Sequence, residues 1–188
     1  MRYQQRPPSM SLNLHPTRST LPSVLFSSHK MDWETPPEVF HPLHKEFRFT
    51  LDACALPATA KVNNYFTPAD DGLEQSWRNQ RVWMNPPYGR DIGRWMDRAW
   101  EAAAYERAIV VALVPARTDT QWWHEYVMAS DAEVRYVRGR IRFLNRGRRH
   151  DAATFPSAVV IYRPPHVWKA MPDVVAPTVY ASGFSPTA

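Results

Sequence analysis

The chain lacks the marks of several protein classes. Its 188 residues hold one cysteine, Cys54, which excludes an intrachain disulfide and any cysteine-rich zinc site and is consistent with a reducing compartment. No apolar run approaches the ~18 residues that span a bilayer. No continuous apolar core follows the charge at Arg2 before Val24-Leu25-Phe26, so no secretory signal is read either. Acidic residues are the minority: 23 Lys and Arg face 18 Asp and Glu, giving a formal charge of +5 and a pI near 9.6. That balance favours an anionic partner, although net charge alone does not separate nucleic acid from a membrane surface.

Proline is plentiful, at 18 residues, and is frequent near both ends. One domain is expected, covering residues 31–164. Residues 1–30 mix Pro, Ser, Thr and Gln without a sustained period and read as a poorly ordered tail, and residues 165–188 read as a second, proline-rich one. Met31, directly ahead of the first structured motif, is an alternative start of translation, which the mass of the native protein would decide.

The centre of the chain is Asn85-Pro86-Pro87-Tyr88, delivered by the apolar run Val82-Trp83-Met84 and followed by Gly89. A β-branched and aromatic run that stops at two prolines predicts a buried strand ending in a rigid loop, because proline cannot continue a ladder. The loop suits the gripping of a flat, amine-bearing group. The Asn85 amide oxygen and the Pro86 carbonyl are acceptors, neither proline has an N–H to compete, and Tyr88 adds a face for stacking. An exocyclic amine on a nucleobase is a poor nucleophile, since its lone pair is delocalised into the ring. Acceptors that draw on its hydrogens favour the pyramidal form and stabilise charge developing in an attack on a methyl donor. The plainer reading of Asn-Pro is a turn dipeptide.

Upstream, Thr35 predicts an N-cap with Pro36 at the first helical position and Glu38 completing a capping box, for a helix from Pro36 to Glu46. Phe47 to Asp52 alternates and reads as a strand ending at an acid. Asp52 is thereby placed at a ligand crevice, with the small residues Ala53-Cys54-Ala55 allowing close approach. A possible short strand, Asn64 to Thr67, precedes Asp70 and Asp71, either of which is placed to meet ribose hydroxyls or merely to form a turn. The interval from Asp52 to Asn85 is close to the roughly 30 residues of one βαβ unit, so the sheet is expected to be truncated before the Asn85 strand.

Downstream, helical spacing predicts a helix from Asp91 to Tyr105, with Arg90, Arg94 and Arg98 on one face, either solvated or facing phosphate. Ala108 to Val114 predicts a buried parallel strand, followed by a loop holding Arg117 and by a helix capped at Thr118 or Asp119. Val134 to Val137 and Ile141 to Leu144 flank Gly139 and suggest a hairpin. Its arginines, among them Arg138, Arg140, Arg142 and Arg146, interleave with Tyr136 and Phe143 and form the candidate nucleic-acid surface. Ala158 to Tyr162 predicts a last buried strand.

These stretches, in this order, resemble the S-adenosylmethionine-dependent amino-methyltransferases, and most closely the small phage-type DNA N6-adenine methyltransferases, over roughly Trp33 to Arg163. The resemblance implies an α/β fold with a Rossmann-like methyltransferase sheet, mostly parallel, with a C-terminal antiparallel hairpin. It implies that Asn85 and Pro86 bind the target amine while Tyr88 stacks on an extruded adenine, with Pro87 completing the catalytic motif. Trp33, Thr35 and Pro36 look like the segment that meets the methionine part of the cofactor, and Asp52 and Cys54 belong to a stretch resembling the first cofactor motif, with Asp70 or Asp71 nearby. The glycine expected soon after that motif is absent, Leu56-Pro57 standing in its place. The partner implied is DNA, contacted by Arg90, Arg117, Arg138, Arg140, Arg142 and Arg146. No metal is required, and the location implied is cytoplasmic, that of the host cell if the gene is phage-borne.

The same motif serves enzymes that methylate cytosine N4 or a glutamine side chain. A non-catalytic basic DNA-binding module is the alternative from another class. C5-cytosine methylation is disfavoured because Cys54 follows Ala53 rather than proline. Recognition sequence, strand state of the substrate and oligomeric state are not legible.

Overall fold

A computed structural model describes residues 33–145 and 147–165. In chain order these form α1 (Pro37–Phe47), β1 (Leu51–Asp52), β2 (Arg81–Met84), α2 (Ile92–Glu106), β3 (Ile109–Pro115), α3 (Gln121–Trp123), β4 (Glu133–Tyr136), β5 (Leu144–Asn145), β6 (Arg148–Arg149) and β7 (Ser157–Tyr162). After α3 the chain widens into a π-helical turn over His124–Met128. Among the described residues no helix is long and apolar enough to cross a membrane.

The main sheet has five strands in the order β1-β2-β3-β7-β4. β1, β2 and β3 are parallel neighbours, while β7 runs antiparallel to both β3 and β4. β3 is apolar throughout because both of its faces are covered. Val110, Ala112 and Val114 pack with Trp95, Met96, Ala99 and Trp123 on one side. Val111 and Leu113 pack with Phe40, Leu43, Phe47 and Phe49 of the α1 side on the other. The two-residue period of the strands thus sorts their side chains between two helical layers. β1 and β2 end side by side, Asp52 opposite Trp83, which sets the loop after Asp52 against the loop after Met84.

Four local expectations are corrected. α1 begins one residue late, with Pro36 as its N-cap and no side-chain cap. The Thr35 hydroxyl is buried instead of capping, and Glu38 turns outward to Arg149 at 2.7 Å. The helix after β3 is capped by neither Thr118 nor Asp119. Thr120 holds that position, its hydroxyl donating to the Arg117 carbonyl at 2.8 Å. Asn64 to Thr67 makes only a bridge, Tyr65 against Asp52. Finally, Val134 to Val137 does not pair with Ile141 to Leu144. β4 lies on β7, Val134 opposite Val160, because the apolar β7 needs a neighbour on its free edge. The chain turns away at Gly139, whose φ of +78° suits glycine, and Ile141 and Phe143 are spent on the core. The hairpin forms later, as the small separate pair β5-β6.

Among the described glycines, Gly72 makes the tightest close approach. A Cβ there would stand 2.3 Å from the Ala53 carbonyl oxygen and 3.2 Å from the Trp95 ring, and the Gly72 carbonyl accepts the buried Trp77 indole N–H at 3.0 Å. Gly72→Ala is therefore expected to lower stability by roughly 1–3 kcal/mol through overpacking. Urea unfolding of the purified variant checks this.

Candidate active site

The loop after β2 is held from three directions. The Asn85 side-chain nitrogen donates to the Trp33 carbonyl at 3.2 Å. The Tyr88 hydroxyl donates to Asn85 Oδ1 at 2.8 Å and lies 3.2 Å from the Leu113 carbonyl of β3, and the Gly89 amide closes on the Pro87 carbonyl at 3.0 Å. Because the Trp33 carbonyl can only accept, it fixes which end of the Asn85 amide is nitrogen and turns the oxygen towards Tyr88. Pro86 is buried, and among the described residues no backbone amide reaches its carbonyl.

Two clefts meet here. One is lined by Trp33, Leu56, Asn85, Pro86 and Tyr88, the other by Phe66, Thr67, Pro68, Asp71, Gly72, Leu73 and Trp95. Cys54, Ala55 and Pro87 line both and form the wall between them. The expected residues Trp33, Cys54, Asn85, Pro86, Pro87 and Tyr88 are thus brought together at the first cleft, and Asp71 lies at the second. Asp70 does not line either cleft; its carboxylate accepts from the Thr67 amide and hydroxyl at 2.8 and 2.7 Å and closes that turn.

Asp52 departs most from expectation. Its side chain is 3 % exposed, lines neither cleft and accepts the amides of Lys61 at 3.0 Å and Cys54 at 3.4 Å. It folds the loop that forms the shared wall. Burial pushes its carboxyl up to about 6, against those two amides and the Lys61 charge, which act the other way. Burial, with Asp52 adding, also raises the Cys54 thiol, and burial raises the Tyr88 phenol. The site therefore holds no thiolate or phenolate nucleophile at neutral pH; it presents neutral acceptors.

The arginines divide into two groups. Arg98 bridges the Gln75 carbonyl and Glu106 at 2.7 and 2.8 Å and lies over Trp77, so it leaves the suggested stripe and joins the framework. Arg135 is held by Glu46 and Arg149 by Glu38. Arg90, Arg117, Arg138, Arg140 and Arg142 are exposed, and Arg146 lies outside the described residues.

Three features escaped the sequence reading. Trp95, read as core, brings its indole to the second cleft with its N–H unpartnered among the described residues. Gly72, next to Asp71, lines that cleft too. Glu34 joins Lys61 at 2.8 Å and pairs with Leu144, which holds the Trp33 carbonyl over Asn85.

Comparison with known proteins gives a consistent result. A family model described as DNA N-6-adenine-methyltransferase (Dam) matches residues 23–178. A protein of Haemophilus phage HP1 named DNA N-6-adenine-methyltransferase is 32 % identical over 141 residues, 73 % of this chain and 81 % of the relative. One of Escherichia phage T1 with the same name is 32 % identical over 96 residues, 50 % of this chain and 39 % of the relative.

The Asp52 carboxyl sets a pH dependence whose sign follows from its direction. Its folded value, about 6, stands above the ordinary 3.8, so the stability it lends is complete below about pH 4 and is lost as pH rises through 6. The loss amounts to roughly 3 kcal/mol at about 1.4 kcal/mol per unit. Asp52→Asn is expected to flatten that slope, with a constant offset for the amide bond it cannot make. Urea midpoints of both proteins between pH 4 and 7 measure it.

Proposed function

The chain belongs to the DNA N-6-adenine-methyltransferase family, and we propose that the Asn85 corner is the seat of its chemistry, with S-adenosylmethionine as the methyl donor. It transfers a methyl group to the exocyclic N6 amine of adenine in DNA. The observation that carries the assignment of the site is the shared wall. The Asn85 amide, of fixed orientation, lines one cleft, and an apolar cleft suited to a flat base lies directly across Cys54, Ala55 and Pro87.

The residues present fit the cofactor. Phe66, Pro68, Leu73 and Trp95 offer an apolar slot for a nucleobase, Asp71 stands at its edge for ribose hydroxyls, and the Trp95 N–H has no partner among the described residues. The orphaned Thr35 hydroxyl lines neither cleft but lies two residues from Trp33, which lines the first. Trp33 to Pro36 and Cys54 would hold the methionine part. Bound there, S-adenosylmethionine supplies an electrophilic methyl group on sulfur. Asn85 Oδ1 and the Pro86 carbonyl accept the hydrogens of the adenine amine, which draws its lone pair out of conjugation and towards the wall. Pro87 and Ala55 exclude water, and the close spacing of the clefts supplies a near-attack geometry. No strong base is needed, since the surplus proton is acidic once the methyl group is in place and leaves to solvent. The motif reads an amine; the family decides that the amine is adenine's.

Extrusion of the base costs a few kcal/mol, offset by stacking on Tyr88 and by phosphate contacts from Arg90, Arg117, Arg138, Arg140, Arg142 and Arg146. The catalytic domain is assigned to residues 31–164, with a Rossmann-like methyltransferase sheet truncated on the β1 side. Residues 1–32 and 166–188 lie outside the described residues, and the tails read from the sequence fall almost wholly there. The enzyme acts where its substrate DNA lies, in the cytoplasm, that of the host cell if the gene is phage-borne.

Asn85→Ala is expected to lower the rate of transfer at least about a hundredfold while changing cofactor affinity by less than about threefold. Labelled-methyl transfer and calorimetry read the two effects, and full retained activity would remove Asn85 from the mechanism. Thr35→Val, which deletes the orphaned hydroxyl at constant shape, is expected to gain about 1 kcal/mol in stability and to weaken cofactor binding several-fold.

A further inference from the structure

Tyr88 is turned into the protein. Edge-on contacts with Phe155, ring centroids 5.5 Å apart, and with Phe143 at 6.1 Å hold its ring. Its hydroxyl sits within reach of both Asn85 Oδ1 and the Leu113 carbonyl, yet it has one proton to give. A hydrogen-bond donor attached to an aromatic ring and pointed at Asn85 Oδ1 is chemically close to the exocyclic amine of a base. In this arrangement the acceptor that the substrate requires is already engaged, and the ring that stacks on the base is berthed elsewhere.

We infer that the Tyr88 hydroxyl is an internal stand-in for the substrate amine, so that an incoming base must exchange its N–H for the Tyr88 O–H at Asn85. The inference rests on the reading of the Asn85 corner given above. The exchange links two events: the amine takes Asn85 Oδ1, and the freed ring leaves Phe155 and Phe143 and becomes available to cover the base. It also makes every incoming base compete with Tyr88 for Asn85, while the choice between bases lies with Asn85 itself. A base without an amine at that position cannot replace the bond it breaks, and Asn85 would be left with an unpaired acceptor. A base that carries one loses nothing in the exchange.

The test compares the wild-type chain with Tyr88→Phe, which keeps the ring and removes the competing donor, and with Phe155→Leu, which loosens the berth. Each is given oligonucleotides carrying adenine or amine-free purine at the target position. Tyr88→Phe is expected to lower the KM for adenine DNA about three- to tenfold, the stacking ring being retained. In fluorescence anisotropy it should tighten binding of adenine and purine DNA by a similar factor, because neither base then has a bond to break, and leave the preference set by Asn85 unchanged. Phe155→Leu should lower KM in the same direction by less. A Tyr88→Phe enzyme with unchanged or raised KM and reduced kcat would overturn the exchange, because the hydroxyl would then serve transfer itself. The anisotropy needs no turnover. An inactive wild-type chain would strike the assigned reaction, while the tightening on loss of the Tyr88 hydroxyl would still decide whether the exchange occurs.

Discussion

The site depends on the orientation of a single amide. Asn85 can present an acceptor to an amine only if its nitrogen is kept elsewhere, and the Trp33 carbonyl keeps it there. That carbonyl belongs to a segment far away in sequence. It is held in place because Glu34 pairs with Leu144 through two backbone bonds of 2.8 and 2.9 Å and reaches Lys61 through a half-buried ion pair. Lys61 in turn gives its backbone amide to Asp52. The first helix, the loop after β1, the loop after β2 and the arginine-rich turn are therefore tied to one another through a few polar contacts around Asn85. A chain whose sheet is short on the β1 side gains from such ties, since β1 itself offers only two residues of ladder.

Burial explains why acceptors rather than nucleophiles occupy the centre. The loop that separates the two clefts is small and apolar, and it is shaped by a carboxylate that takes two amides inward. The same low-polarity surroundings that raise Asp52 also raise Cys54 and Tyr88. A thiol or phenol that keeps its proton does not compete for an electrophilic methyl group. Neutral oxygen acceptors, in contrast, gain strength where water is excluded. The environment thus favours activation of an incoming amine over modification of the enzyme's own side chains.

Much of this was legible in the sequence where the signal was local. β2, α2 and β3 stood out because burial on both faces, or at helical period, leaves a continuous record in neighbouring residues, and the proline pair marked where β2 had to stop. What depended on distant partners was not legible. β4 was assigned to the wrong neighbour because Val134 and Tyr136 suit any apolar strand, and the choice of β7 is made by an edge that only the assembled sheet possesses. Thr35 looked like a cap because its neighbours have capping chemistry, yet Pro37 can occupy the first helical position and leaves the hydroxyl for the interior. Asp52 was correctly placed at a strand end but read as facing outward, since a sequence does not say which way a carboxylate turns when two backbone amides lie on one side and a cleft on the other.

The arginines make the same point for charge. The sequence sets Arg98 on a helix face and the others on loops or a basic hairpin, but the fold pairs Arg98, Arg135 and Arg149 with Glu106, Glu46 and Glu38, the last of these pairs lying on the surface, and leaves Arg117, Arg138, Arg140 and Arg142 exposed. Paired arginines add stiffness and little field, because each is neutralised within a few ångströms. The exposed ones carry the potential that a phosphate backbone would sense, with a salt dependence that grows with the number engaged. Since β5 and β6 are bridged through Leu144 to the segment that holds the Trp33 carbonyl, a phosphate drawn to this turn would bear on the same structure that orients Asn85. The arginine-rich turn and the segment that orients the Asn85 amide are therefore structurally adjacent, and they meet where Glu34 pairs with Leu144.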